Sequence, residues 1–165
     1  MKKILLLSDT HSYIDKRILS YAKNSDEVWH AGDIGKLEVL EQLEKVKKTK
    51  AVFGNIDDHI LRAELNEIEI FNCEMIKVCM IHIAGKPPYY NQKTKDLIKI
   101  EKPKILVYGH SHILKVEYDK KNQVLCVNPG AVGKHGFHKK RTMIQLEIDN
   151  NKIKNMVVIE MNSQE

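Results

Sequence analysis

A chain of 165 residues, 42% of them hydrophobic, is long enough to bury a core, and no stretch approaches the ~20 apolar residues that cross a bilayer. The formal charge is +5, from 27 basic and 22 acidic residues, and only Arg17, Arg62 and Arg141 are arginine. With aromatic residues at 6%, the chain lacks the arginine forks and stacking rings of a nucleic-acid binder, and its mild positive field suits an anionic substrate.

Residues 3–8 read as a first buried strand. The opening lysines and leucines have a passing likeness to a signal peptide, but the apolar part is short and Ser8-Asp9 ends it without a small-residue cleavage site. Ile14, Ile18 and Ala22 stand at helical spacing within 14–23, and Val28-Trp29-His30 is a short strand ending at Gly32-Asp33. Residues 36–48 form the clearest helix: Leu37, Leu40, Leu43 and Val46 make its stripe, with Glu41–Lys45 and Glu44–Lys48 as i,i+4 pairs. Ala51-Val52-Phe53 is a third strand, ending at Gly54-Asn55. This βαβαβ order predicts a parallel sheet covered by helices.

From 67 to 84 the pattern changes to two antiparallel strands with a turn near Asn72-Cys73-Glu74. A helix is expected over 92–100 and a buried strand over 105–107. Two hairpins should turn at 119–122 and at 149–151. With no linker or repeat, residues 1–165 read as one domain. The expected fold is α/β: two facing mixed β-sheets flanked by helices, a four-layer α-β-β-α sandwich. Cys73, Cys79 and Cys126 are an odd set without C-x-x-C spacing, which argues for reduced thiols and a cytoplasmic location.

Polar residues gather where the apolar strands end. The first strand leads into Ser8-Asp9-Thr10-His11, the second into Gly32-Asp33 and the third into Gly54-Asn55. Later strands deliver Ile81-His82 and Gly109-His110-Ser111-His112. Ligand sites of open α/β sheets form at such carboxyl ends. Carboxylates, a carboxamide and imidazoles without a thiolate are a donor set for divalent metals. His110 and His112, two apart on an extended segment, would point the same way about 6.6 Å apart and grip one ion or two close ones. Singly, each residue has a plainer reading: Asp9 or Asp33 as a helix cap, Asn55 as a turn residue, His82 as a core histidine. Together, at five strand ends, they argue for a site.

The ordered set Asp9-x-His11, Gly32-Asp33, Gly54-Asn55, His82 and Gly109-His110-x-His112 resembles the five blocks of the calcineurin-like metallophosphoesterases. Asn128-Pro129-Gly130 and the short length resemble their small bacterial and archaeal phosphodiesterase branch, over residues 3–147. The resemblance implies a metal-dependent phosphodiesterase with a dinuclear centre. One metal would be held by Asp9, His11, Asp33 and His112, the other by Asp33, Asn55, His82 and His110, with Asp33 bridging. A hydroxide shared by the metals would attack phosphorus, and Asp33, Asn55 and His82 are the residues implied to be catalytic. The cofactors are two divalent ions per chain, manganese first, with nickel, iron, zinc and magnesium as alternatives. The implied partner is a small phosphodiester, with no membrane, and with nucleic acid only as a nucleotide-like substrate; homo-oligomerisation is left open. The rival reading is a metal-poor protein-binding scaffold of the same fold, like the retromer subunit of eukaryotes.

Two departures from the family pattern matter. Many larger members carry a histidine where this chain has Ile56, and it assists the leaving group; its absence puts poor leaving groups in doubt. Ile83-Ala84 also separate His82 from Gly85, where the family places glycine directly after the histidine. Asp57 reads either as a support for a ligand such as His82 or as an exposed turn carboxylate. His30 reads as a buried packing residue. Residues 133–141 read either as a source of cations for the substrate phosphate or as a solvated basic loop.

Overall fold

The computed structural model describes residues 1–162. The first half runs β1 (Lys2–Leu7), α1 (Lys16–Lys23), β2 (Glu27–His30), α2 (Leu37–Val46), β3 (Thr49–Ala51) and α3 (His59–Glu64). Then follow β4 (Ile68–Cys73), β5 (Ile76–Ile81), a small hairpin of β6 (Gly85–Lys86) and β7 (Tyr89–Tyr90), and α4 (Gln92–Glu101). The remainder is all strand: β8 (Ile105–Val107), β9 (Leu114–Asp119), β10 (Val124–Pro129), β11 (Lys140–Asp149) and β12 (Lys152–Asn162).

These strands form two five-stranded mixed sheets, ordered β12-β11-β1-β2-β3 and β4-β5-β8-β10-β9. β1 lies at the centre of the first, and its unbroken apolar run has a physical reason. Ile4 and Leu6 face Val78, Met80, Ile105 and Val107 of the other sheet, while Leu5 and Leu7 face helices. A strand covered on both sides has no polar face to alternate with. On the outer side of the first sheet, Ile18 and Ala22 of α1 and Val39, Leu40 and Leu43 of α2 complete a second core. Leu97 and Ile98 of α4 cover Cys79, Leu106 and Cys126 on the outer side of the second sheet. The expected α-β-β-α sandwich is the observed fold.

Local differences from the expected elements are small. β3 sits two residues earlier than 51–53: past Ala51 the chain turns away, and Val52, still donating to the His30 carbonyl, forms an isolated bridge to Asn66 instead of extending the strand. α3 was not anticipated: it buries only Leu61, so it shows no stripe, although Asp58 caps it by accepting from the N–H groups of Ile60 and Leu61. Lys48 lies beyond α2 and turns toward Glu27 at 3.9 Å rather than back to Glu44. The three cysteines are free and buried, and burial pushes each thiol up to about 11.

One buried ion pair fixes the entrance of α1. Arg141 is fully buried; its Nε donates to the Val132 carbonyl at 2.7 Å and its Nη2 to Asp15 at 2.8 Å. Its guanidinium also lies over the Tyr13 ring, 4.7 Å from the centroid. Asp15 caps α1 by accepting from the Ile18 N–H. Burial pushes the Asp15 carboxyl up, but the Ile18 N–H and Arg141 outweigh it and hold it below the usual carboxylate range. Removing one partner of such a pair leaves the other charge buried and unpaired. Asp15→Ala should therefore cost about 3 kcal/mol of stability, with the lost cap included, measured as a shift of the urea unfolding midpoint.

Candidate metal centre

β1, β2 and β3 are parallel in one sheet and β5 and β8 in the other, so carboxyl ends emerge together within each sheet, and the His110 N–H to Asp9 Oδ2 hydrogen bond joins the two sets. The loops beyond them are stitched by backbone hydrogen bonds: Asp9 N–H to Gly32 O, His11 N–H to Asp33 O, and Gly109 N–H to His82 O. Asp9, His11, Asp33, His110 and His112 all have positive φ, between 44° and 75°. Non-glycine residues rarely adopt this left-handed backbone, and its concentration at one site marks function rather than chance. It also corrects one expectation. His110 and His112 do not lie on an extended segment; β8 ends at Val107 and two left-handed residues aim the imidazoles separately.

The seven expected residues come to one place, in two groups. Ligand-capable atoms of Asp9, His11 and His112 lie within 4.8 Å of one another, as do those of Asp33, His82 and His110. Asn55 joins the second group, its Oδ1 3.0 Å from His110 Nδ1. Asp33 Oδ2 lies between the groups, 3.5 Å from His11 Nε2 and 3.2 Å from His82 Nε2. Asp9 Oδ1 lies 3.3 Å from His112 Nε2 and 3.9 Å from His11 Nε2.

Asp9 Oδ1, His11 Nε2 and His82 Nε2 are buried without a hydrogen-bond partner. Buried polar atoms are normally paired, and three orphans facing one another fit bound cations. Within each group the spacing suits atoms that share an ion through bonds of about 2.1 Å. The opposite atoms are already committed. Asp9 Oδ2 accepts from Ser8 Oγ and the His110 N–H, Asp33 Oδ1 accepts from the Ile56 N–H, and His82 Nδ1 donates to the Ala31 carbonyl. The last bond places the free lone pair of His82 on Nε2, turned inward.

The electrostatics agree. Burial pushes the Asp9 carboxyl up, but the imidazoles of His11, His112 and His82 and the Ser8 hydroxyl outweigh it, leaving Asp9 well below the usual range. Asp33 is likewise lowered, chiefly by His82 acting against burial. Burial would lower His82, but Asp33 and Asp9 raise it; His112 is raised first by Asp9. Two buried carboxylates held ionised among imidazoles are a setting that suits a bound cation.

A model of the calcineurin-like phosphoesterase superfamily domain matches residues 1–151. The chain belongs to that superfamily. A probable metallophosphoesterase of Mycoplasma pneumoniae is 32% identical over 139 residues, 80% of this chain and 80% of its own length. A structure described as a novel archaeal phosphodiesterase has a TM-score of 0.75 at 21% identity, over 95% of this chain and 99% of that one. Vps29 of Entamoeba histolytica, in complex with zinc, has a TM-score of 0.74 at 17% identity, over 98% and 99%. The two structural likenesses concern the fold.

Like the metal-dependent superfamily, the chain thus carries two candidate metal-binding groups, and His11, His112, Asp33 and His110 of these groups line a cleft of about 550 Å³. A larger cavity, about 790 Å³, lies elsewhere, beside α4, and presents lysines rather than histidines. Residues 133–141 reach the cleft only in part. Lys134 lies over Tyr13, Lys140 pairs with Glu160 and Arg141 with Asp15. His135 and His138 do line it: His135 stacks on His11 with ring centroids 4.8 Å apart, and His138 meets His112 edge-on. Sequence gave these two no signal beyond membership of a basic stretch.

Asp57 is buried, and it touches neither His82 nor solvent. Its carboxylate accepts from the N–H groups of Gly35 at 2.8 Å and Gly54 at 2.7 Å, tying together the loops that carry Asp33 and Asn55. Arg62 of the unanticipated α3 reinforces that loop: its Nε donates to the Asp57 carbonyl, and its guanidinium lies over Phe53. A Cβ at Gly54 would run into Asp33. His30 is the packing residue expected: burial lowers it to about 3, Gly32 N–H donates to its Nδ1, and Nε2–H reaches Thr10 Oγ1. Asn128 supports the histidine segment, its Nδ2 reaching Gly109 O and Ser111 Oγ. Asp57→Ala strands two backbone donors and should cost about 3 kcal/mol. Faster hydrogen exchange at Gly35 and Gly54 than in the wild-type chain is the local check.

Proposed function

We propose that the chain is a dinuclear metal-dependent phosphodiesterase. Asp9, His11, Asp33 and His112 hold one ion, and Asp33, Asn55, His82 and His110 hold the other. The observation that carries this reading is the set of three buried, unpartnered atoms, Asp9 Oδ1, His11 Nε2 and His82 Nε2, converging beside Asp33 Oδ2. The archaeal phosphodiesterase of the same fold adds support. A donor set of imidazole, carboxylate and carboxamide oxygen suits divalent ions such as manganese, iron, nickel or zinc, of which we take manganese first, and the free buried thiols fit the cytoplasm.

The ions supply Lewis-acid polarisation, a water acidified to a nucleophile, and net positive charge for a phosphodiester anion. Asp33, reaching both histidine groups, sets the separation of the two positions. The Ala31 carbonyl and Asn55 orient His82 and His110. The Ile56 N–H holds Asp33 Oδ1 away from the cleft so that Oδ2 faces inward.

Chelation should abolish turnover of bis(4-nitrophenyl) phosphate, and manganese should restore it. Undiminished turnover by metal-free protein overturns the reading. Asp33→Asn should lower metal content from about two ions per chain to below one, read by elemental analysis, because both positions use its carboxylate. The scaffold alternative predicts no turnover with both positions loaded; the complete donor set favours the enzyme.

Ile56 stands half-exposed in the cleft, where a leaving-group acid would act. Ile56→His should raise kcat/KM for alkyl leaving groups about tenfold relative to nitrophenyl ones, short of the roughly 10²–10⁴ of a well-positioned acid. Parallel leaving-group plots for the two proteins would show that residue 56 does not reach the departing oxygen.

A further inference from the structure

The cleft around the candidate metal centre is unusual in what it lacks. Among the described residues, no lysine or arginine lines it. Its rim is apolar instead: Ile56, Ile113 and Phe137 all border it and all stand exposed, Phe137 completely. Large apolar side chains grouped around a concave site mark a contact surface. With no lysine or arginine in the lining, and Lys134 turned onto Tyr13, further phosphates on a substrate would meet no ammonium or guanidinium group inside the cleft.

The segment bearing Phe137 is fastened from below. His138 Nε2 donates to the Gly133 carbonyl at 2.7 Å, closing the turn on itself. Gly136, at φ 128°, passes so close to His112 that a Cβ would strike its imidazole and crowd that of His138. His135 lies face to face on His11, with an interplanar angle of 22°. The base of the segment is thus packed onto the proposed metal ligands, while Phe137 projects into solvent with no ring partner among the described residues. An unpartnered aromatic face carried on a fastened segment beside the proposed phosphate-binding centre is suited to stacking.

We propose that residues 133–138 form a recognition lip, and that the preferred substrate is a singly charged phosphodiester whose retained alcohol carries a planar ring. Phe137 stacks on that ring while the diester lies at the metals. This rests on the phosphodiesterase reading and adds the substrate class.

The test compares two esters with the same leaving group, thymidine 5′-(4-nitrophenyl) phosphate and methyl 4-nitrophenyl phosphate, on the manganese-loaded full chain. The wild-type protein should prefer the thymidine ester in kcat/KM. Phe137→Ala should cut that preference about tenfold, and Phe137→Tyr should retain it. Phe137 is wholly exposed, so its replacement leaves the core intact. An unchanged preference in the alanine variant, or no preference in the wild-type protein, overturns the lip while leaving the phosphodiesterase standing. Absence of turnover of both esters overturns the phosphodiesterase and the lip together.

Discussion

The arrangement depends on one buried carboxylate. Asp9 is fully enclosed where the two sheets meet, and one of its oxygens is neutralised from both sides of that junction: by Ser8 on its own strand and by the His110 N–H, 101 residues away. The other oxygen has no hydrogen-bond donor and faces imidazoles. A dehydrated, half-satisfied carboxylate is costly unless positive charge stands beside it. Asp33 and Asp9 raise the His82 imidazole against its burial, and Asp9 raises that of His112. In the proposed enzyme a bound cation would meet the same demand and would offer its charge to a phosphate ester.

Placing the donors has a conformational cost, and the scaffold absorbs it. Five of the seven proposed donors sit in left-handed backbone, a conformation that costs on the order of 1–3 kcal/mol per residue. The strain persists because the loops are over-determined. Asp57 ties the Gly35 and Gly54 backbones, Asn128 holds the Gly109–Ser111 turn, and backbone hydrogen bonds lock each strand end to its neighbour. The charged residues nearest these loops are spent on structure. Arg62 grips the 54–57 turn and Arg141 is sealed against Asp15, which leaves the cleft to imidazoles and apolar side chains.

Much of this was legible in the chain. The unbroken apolar run of β1, the helical stripe of α2 and the antiparallel pattern of β4 and β5 dictated their own elements, because burial on one face or two imposes a period on the residues. The donor set was legible for a related reason: Asp9, Asp33, Asn55, His82, His110 and His112 each follow an apolar strand, and parallel strands within each sheet end on the same side, although the meeting of the two sets depends on how the sheets pack. Sequence order and residue type therefore named both the family and the candidate site. Elements that bury almost nothing, such as α3 with its single buried Leu61, left no period to read.

What the tertiary structure alone decided concerns side-chain direction and long-range partners. Whether Asp57 served a histidine or faced water depended on the approach of Gly35, 22 residues away. That His110 and His112 are aimed by positive φ rather than by strand alternation came from the packing of the second sheet against the first. The basic stretch 133–141 was ambiguous by composition. Only folding turned its lysines and arginine outward or into ion pairs and its histidines toward the cleft, because Asp15, Tyr13 and Glu160 compete for the cations and come together only in three dimensions. Local periodicity and residue type are properties of the chain itself, whereas the choice among partners belongs to the fold, where groups remote in sequence settle each other's charge.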